Sequence, residues 1–233
     1  MFSLRKKQLI ESVATLFSPQ FCMNCRGTLL ESEQFLCFIC EHHLAKSNFH
    51  RYEQNPLKAK FFGKVPVCDA YAYLRFSRHN AVRKILHALK YGGVPEIGEY
   101  FGGKFGWFLR ENFDLSHFDC IVPVPLHADK LKRRGYNQSE VIAKGLSAST
   151  QILLKTNLLY RNRATETQTK KNAEERYQNM LKVFDITEKP TGLNILLVDD
   201  VITTGATLEA CALILLKNGC ASVSVAALAA GEQ

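Results

Sequence analysis

No stretch of the chain approaches the roughly 18 uninterrupted apolar residues that a membrane-spanning helix needs, so the expectation is a soluble protein without membrane insertion. The opening is not expected to act as a secretory leader. The opening MFSLRKKQLIESVATLF sets a basic cluster before apolar residues, but Gln8, Glu11 and Ser12 interrupt the apolar centre and no small-residue cleavage pattern follows. Leu9, Ile10, Val13, Leu16 and Phe17 instead fall at helical spacing, which predicts a short amphipathic helix in a cytoplasmic protein. There is no internal repeat. With 46% hydrophobic and 22% charged residues, the composition excludes a wholly disordered, collagenous or low-complexity chain. A length of 233 residues fits one α/β domain with a small appendage.

Lysine and arginine total 30 against 22 acidic residues, and the resulting net charge of +8 is unevenly placed. Residues 130 to 176 hold eleven Lys/Arg and four Asp/Glu, whereas residues 177 to 233 hold three against six. A local positive field of this kind suits phosphates, pyrophosphate or nucleic acid. A solvated, lysine-rich loop would give the same count.

Four of the eight cysteines make the pattern Cys22-x2-Cys25-x11-Cys37-x2-Cys40. A two-residue gap lets one tight turn aim two sulfurs at a common centre, and Gly27 is positioned to relax the backbone of the first knuckle. Four thiolates complete a tetrahedral Zn2+ shell and leave no position open for substrate, so the predicted site is structural. A pair of disulfides is the alternative, disfavoured in a reducing compartment. His42 and His43 adjoin Cys40, but neither is needed as a ligand. A module of about 40 residues has too little surface to bury by itself, so metal ligation is expected to supply much of its folding free energy. Cys68, Cys120, Cys211 and Cys220 stand alone among apolar residues and read as small core side chains.

The expected organisation is an N-terminal helix and zinc-binding module over 1–45, a connector over 46–66, and an α/β domain over 67–233. Within the last, DAYAYLRF alternates as a strand, and AVRKILHALKY places Val82, Ile85, Leu86 and Leu89 on one helical face. Residues 95–111 read as a helix if Gly98, Gly102, Gly103 and Gly106 allow close packing, with Trp107 assigned to the core. DCIVPVP reads as a buried strand, followed by a basic loop and a helix starting near Asn137 to Glu140. ILLKTNLLY, LKVFDI, LNILLVDD and CASVSVAALA read as further strands, ATLEACALILLKNG as a helix, and the polar stretch 161–179 as a mobile flap. Strands alternating with helices predict a parallel sheet covered on both faces, with ligands at the carboxyl ends of its strands.

NILLVDDVITTGATLEA, residues 194–210, carries the strongest chemical signal. Ile195 to Val198 form an apolar strand ending at Asp199 and Asp200, and Thr203, Thr204, Gly205, Ala206 and Thr207 turn into a helix. A helix start offers unpaired N–H donors and a positive dipole end; threonine hydroxyls add donors, and glycine admits close approach. That turn suits a phosphate. Two carboxylates beside it would repel the phosphate unless they engage sugar hydroxyls or hydrated Mg2+. Strand-end acids followed by a plain helix cap would give the same residues.

LLVDDVITTGAT resembles the phosphoribosyl diphosphate (PRPP) signature of type I phosphoribosyltransferases. The glycine–lysine pattern of nucleotide triphosphatases is absent. The four-cysteine module, VPVPLHADKLKRRGYNQSE and RNRATETQTKKNAEERYQN narrow the resemblance to ComF-like phosphoribosyltransferases, which are associated with natural competence. The resemblance implies a type I phosphoribosyltransferase-like fold in which Asp199 and Asp200 contact the ribose of PRPP and Thr203 to Thr207 hold its 5-phosphate. It places Pro123, Val124, Pro125, Leu126, Arg133, Arg134 and Asn137 on the pyrophosphate side, with Lys90 of LKYGG also facing the phosphates. Arg163, Thr165, Gln168 and Arg176 match the flexible hood. Arg133 and Arg134 also suit a solvated helix face, and Lys90 a helix carboxyl-terminal cap.

Transfer from PRPP separates the sugar C1 from pyrophosphate, and cationic groups with Mg2+ around the leaving group would stabilise its charge while a closing flap excluded water. The acceptor and the general base are not legible. Two further readings stay open. One is a competence factor that binds PRPP and single-stranded DNA, with Tyr136 or Tyr177 stacking on bases. The other is an interaction protein whose zinc module docks a competence helicase.

Overall fold

The computed structural model of the protein describes residues 20–77, 81–162 and 183–231. The N-terminal amphipathic segment, the hood residues Arg163, Thr165, Gln168 and Arg176, and Tyr177 lie outside the described residues. In chain order the main elements are α1 (Phe38–His42), α2 (Pro56–Ala59), β1 (Ala70–Phe76), α3 (Ala81–Tyr91), α4 (Glu96–Asn112), β2 (Cys120–Pro123), α5 (Ala128–Arg134), α6 (Gln138–Thr150), β3 (Leu153–Leu154), β4 (Leu159–Arg161), β5 (Phe184–Ile186), β6 (Asn194–Ile202), α7 (Ala206–Lys217) and β7 (Ser222–Gly231).

Five strands form one parallel sheet in the order β1-β7-β6-β2-β3. Successive side chains of a strand point to opposite faces, and the apolar runs here are buried on both. Ile121, Leu196 and Val198 face the side covered by α3, α4 and α6, where Cys22, Leu36 and Leu44 of the cysteine-bearing segment join the same core. Val122, Ile195 and Leu197 face the side covered by α7, residues 57–67 and the β4–β5 ribbon. The connection after β2 runs to one side of the sheet and the connection after β6 to the other. The crevice over β2 and β6 is therefore the point where the winding reverses, the place where open α/β sheets receive ligands.

Helices α4 and α6 cross with almost no gap. A Cβ at Gly102 would overlap the Ile142 carbonyl, one at Gly106 would lie 2.7 Å from Ser149 Cβ, and one at Gly145 would meet the Glu99 carbonyl. The glycines of residues 95–111 thus serve the close packing that a helix there required, and the helix runs from Glu96 to Asn112.

Several details depart from the sequence reading. Trp107 is 58% exposed, because the inward stripe of α4 is Ile97, Phe101, Phe105 and Leu109 and position 107 lies on the opposite face. The Arg110 guanidinium sits 5.3 Å from its ring centroid. Cys68 is exposed, unlike Cys120, Cys211 and Cys220. The segment after β2 is a short helix, Ala128–Arg134, closed by Gly135 at φ 82°, rather than a loop. Finally, β4 and β5 pair antiparallel as a separate ribbon outside the main sheet.

Candidate functional site

The crevice is built from the carboxyl ends of two adjacent strands. Pro123 stands beside Val198 in register, and the Val124 amide donates to the Val198 carbonyl at 2.8 Å, which carries the β2 extension up to the two acids at the end of β6. Asp199 and Asp200 are both half-buried. Asp199 Oδ1 accepts from Ser139 Oγ and from the Asp200 amide, each at 2.8 Å. Lys90 Nζ lies 3.0 Å from Asp200 Oδ2. Burial, and then the neighbouring Asp200 charge, push the Asp199 carboxyl up to about 7, against the opposing pull of the Ser139 hydroxyl, the Asp200 amide and Lys90. The crevice therefore resists holding two free carboxylates.

Lys90 is turned toward these acids rather than toward its own helix end. The reason lies in how the end of α3 is held. Tyr136 Oη donates to the Leu89 carbonyl at 2.6 Å, and the Arg134 guanidinium sits 5.3 Å from the Tyr91 ring. Arg134 Nη1 also donates to Gln138 Oε1 at 2.6 Å, while its Nε is buried with no partner among the described residues. Arg133 is exposed. Asn137 is buried and fully engaged: its Nδ2 donates to the Val124 carbonyl at 2.9 Å and its Oδ1 caps α6 through the Ser139 amide at 3.2 Å. It ties the Pro123–Leu126 turn to the helix carrying Ser139. Tyr136 is half-buried and packs against the core beneath α3.

At the other lip, Ile202 is buried while Thr203, Thr204, Ala206 and Thr207 are exposed. Gly205 takes φ 83° and precedes the first residue of α7. A side chain there would be doubly opposed, by that left-handed backbone and by the Phe61 ring, 3.0 Å from an added Cβ. The Ala206 amide reaches Thr204 Oγ1 only at 3.4 Å, and the amides of Thr207 and Leu208 have no partner among the described residues. These are the orphan donors of a helix start, open toward solvent at the exposed turn.

The loop at Thr203–Thr207, the two acids, Lys90 and the Pro123–Leu126 turn thus gather at the carboxyl ends of β2 and β6, with Arg134 over Tyr91, next to Lys90. Ser139 escaped the sequence reading, although it stands two residues after Asn137, whose capping role was the available signal. Phe61 and Lys64 gave no such signal, because they reach Gly205 and Glu209 from a segment remote in sequence; Lys64 Nζ is 4.0 Å from Glu209 Oε2.

The second site lies at the far end of the chain. The sulfurs of Cys22, Cys25, Cys37 and Cys40 all lie within 4.8 Å of one another, with Cys25 and Cys37 at 3.7 Å, and none is in a disulfide. Tetrahedral ligation at roughly 2.3 Å requires sulfur separations of about 3.8 Å, so this cluster fits a metal ion. The left-handed residue of the first knuckle is Arg26, φ 66°, rather than Gly27. Gly27 instead donates its amide to Cys25 Sγ at 3.4 Å, and Asn24 Nδ2 donates to Cys40 Sγ at 3.4 Å. Such bonds stabilise thiolate sulfur. His43 hydrogen-bonds the Ile39 carbonyl and His42 stacks on Phe38, so neither histidine joins the cluster.

Comparison with known proteins agrees with this architecture. The phosphoribosyl transferase domain family matches residues 124–233. The glutamine PRPP amidotransferase of B. subtilis is similar in structure over 60% of this chain and 30% of its own, at 18% identity and a TM-score of 0.42. DNA utilization protein YhgH of Salmonella typhimurium is 38% identical over 116 residues, so the match spans about half of each chain, 50% here and 51% there. Competence protein F of Haemophilus influenzae is 36% identical over 231 residues, covering 89% of this chain and 96% of the relative. With that near-complete correspondence in hand, the chain belongs to the ComF family and carries a phosphoribosyl transferase domain.

Proposed function

We propose that this protein binds PRPP with Mg2+ in the crevice over β2 and β6, and does so in the service of natural competence or DNA utilization. The observation that carries the reading is the pairing, on one crevice, of an exposed helix start having unpartnered amides with two strand-end acids held by Ser139 and Lys90. Thr203 to Thr207 would take the 5-phosphate, Asp199 and Asp200 the ribose hydroxyls, and Lys90 with Arg134 the pyrophosphate. Arg133 and the Pro123–Leu126 turn border that side, and Asn137 positions the turn. Mg2+ supplies charge neutralisation on the pyrophosphate when bound.

In transfer, the bond between C1 and the pyrophosphate oxygen breaks with its electron pair going to pyrophosphate, and the acceptor forms the new bond to C1 as it loses its proton. Lys90 and Arg134 would stabilise the departing charge, and the two acids the developing sugar cation. The hood residues Arg163, Thr165, Gln168 and Arg176 are proposed to cover the crevice during this step. The cysteine cluster is proposed to hold one structural Zn2+, since four sulfurs within 4.8 Å of one another can fill a tetrahedral shell and leave no position for substrate.

Calorimetric titration with Mg-PRPP tests the reading. Wild type should bind, while Asp199→Ala/Asp200→Ala and Thr204→Ala should lose at least tenfold in affinity with their thermal transitions still cooperative. Binding that is indifferent to all three substitutions would remove the site from this crevice.

A second reading is that the chain also binds single-stranded DNA. It is favoured by Lys130, Lys132 and Arg133, all exposed on α5 beside the crevice, and by the competence and DNA utilization names of the relatives. Binding to oligothymidylate that weakens steeply with added salt would support it.

A further inference from the structure

Residues 55–65 wind as a short helix and its continuing turns, with the amides of Ala59, Phe61, Phe62 and Val65 bonded to the carbonyls of Asn55, Lys58, Ala59 and Phe61. Such winding sorts side chains by face. Leu57, Phe61 and Val65 recur every four residues and are buried. Lys58 and Phe62, also four apart, point outward, and Phe62 is 89% exposed. A phenyl ring in that position gains nothing from the core. Lys60 is half-buried and Lys64 exposed, each two residues from Phe62 along the winding, and among the described residues neither Lys58 nor Lys60 has a carboxylate partner.

The turn is also fixed to the phosphate loop. Phe61 packs on Gly205, and Lys64 approaches Glu209 in the first turn of α7. The turn that carries the outward ring is therefore anchored at the crevice lip through Phe61 and Lys64. A ring offered to solvent among lysines matches the chemistry of a ligand carrying planar bases on a polyanionic backbone.

We propose that Lys58, Lys60, Phe62 and Lys64 form a contact edge for single-stranded nucleic acid beside the phosphate loop, with Phe62 stacking on a base and the lysines meeting backbone phosphates. This rests on the second reading above, that the chain binds single-stranded DNA, and places the strand on the Thr203–Thr207 side of the crevice.

Fluorescence anisotropy with a labelled oligothymidylate of about 15 nucleotides tests it. Phe62→Ala should weaken binding roughly tenfold and Phe62→Trp should retain it, since the stacking surface decides. Lys58→Ala/Lys60→Ala should reduce the salt slope by about 1.4, near 0.7 for each phosphate no longer neutralised. Mg-PRPP affinity should stay at the wild-type value in all of these. Equal binding by wild type and Phe62→Ala overturns the inference, and the DNA reading survives if Lys130→Ala/Lys132→Ala/Arg133→Ala abolishes binding instead. No binding by wild type overturns both and leaves the PRPP reading standing. Binding to phosphatidylserine vesicles in place of the oligonucleotide overturns the choice of partner.

Discussion

The sulfur cluster takes all its ligands from residues 22 to 40, whereas the crevice gathers Lys90, Arg134, Ser139, Asp199 and Gly205 from four elements and a turn separated along the chain. Both are built around charge, but one is assembled by local turns and the other only once the sheet has formed. Local assembly would make the cluster dependent on a bound metal; global assembly makes the crevice dependent on packing far from it. The two are not independent, since Cys22, Leu36 and Leu44 share a core with α3 and α4.

The largest effect expected is from the cluster. Metal removal, or Cys22→Ser, should lower the melting temperature by about ten degrees or more and broaden the transition, because loss of a structural metal removes most of the folding free energy of such a module. Unchanged melting after verified zinc removal would break the link between the two regions. Next is the helix crossing. Gly102→Ala forces a Cβ onto the Ile142 carbonyl and should cost about 1–3 kcal/mol, read as a fall in melting temperature of several degrees. Phe61→Ala should follow, with weaker Mg-PRPP binding from a loosened loop; a variant as tight as wild type would show that Gly205 holds its conformation unaided.

A pH experiment gives a smaller but signed effect. The Asp199 carboxyl sits at about 7 in the folded protein against an ordinary 3.8, so between these values the folded state keeps a proton that the unfolded chain has released. Stability contributed by this group is present below 3.8 and lost as pH rises through about 7. Asp199→Asn should accordingly raise the melting temperature of the ligand-free protein by a few degrees at pH 8 and much less at pH 5, as measured by calorimetry. A gain that is the same at both pH values would place the effect in packing rather than charge. Smallest is Ser139→Ala, expected to weaken Mg-PRPP binding a fewfold with little change in melting.

Much of this was legible in order along the chain. Cysteine spacing, the apolar run ending at Asp199 and Asp200, and the threonine–glycine turn are local patterns, and each reports a local geometry. Lys90 was legible with two directions open, the phosphates or its own helix end, and the structure turns it to Asp200 where Tyr136 and Arg134 hold the end of α3. Ser139 and Phe61 depend on tertiary approach, which periodicity does not encode. Trp107 went astray because residue type was weighed above helical phase. Arg26, rather than Gly27, takes the left-handed conformation, while the Gly27 amide donates to Cys25 Sγ.

The glycine seam between α4 and α6 has a consequence for how the protein can change. Ser139 rides on the first turn of α6, so backbone set against backbone along that seam leaves its hydroxyl no slack with which to follow Asp199. Any drift that thickens the seam by one methyl group would be felt at the acid as misalignment, a tax on substitutions that touch no ligand at all.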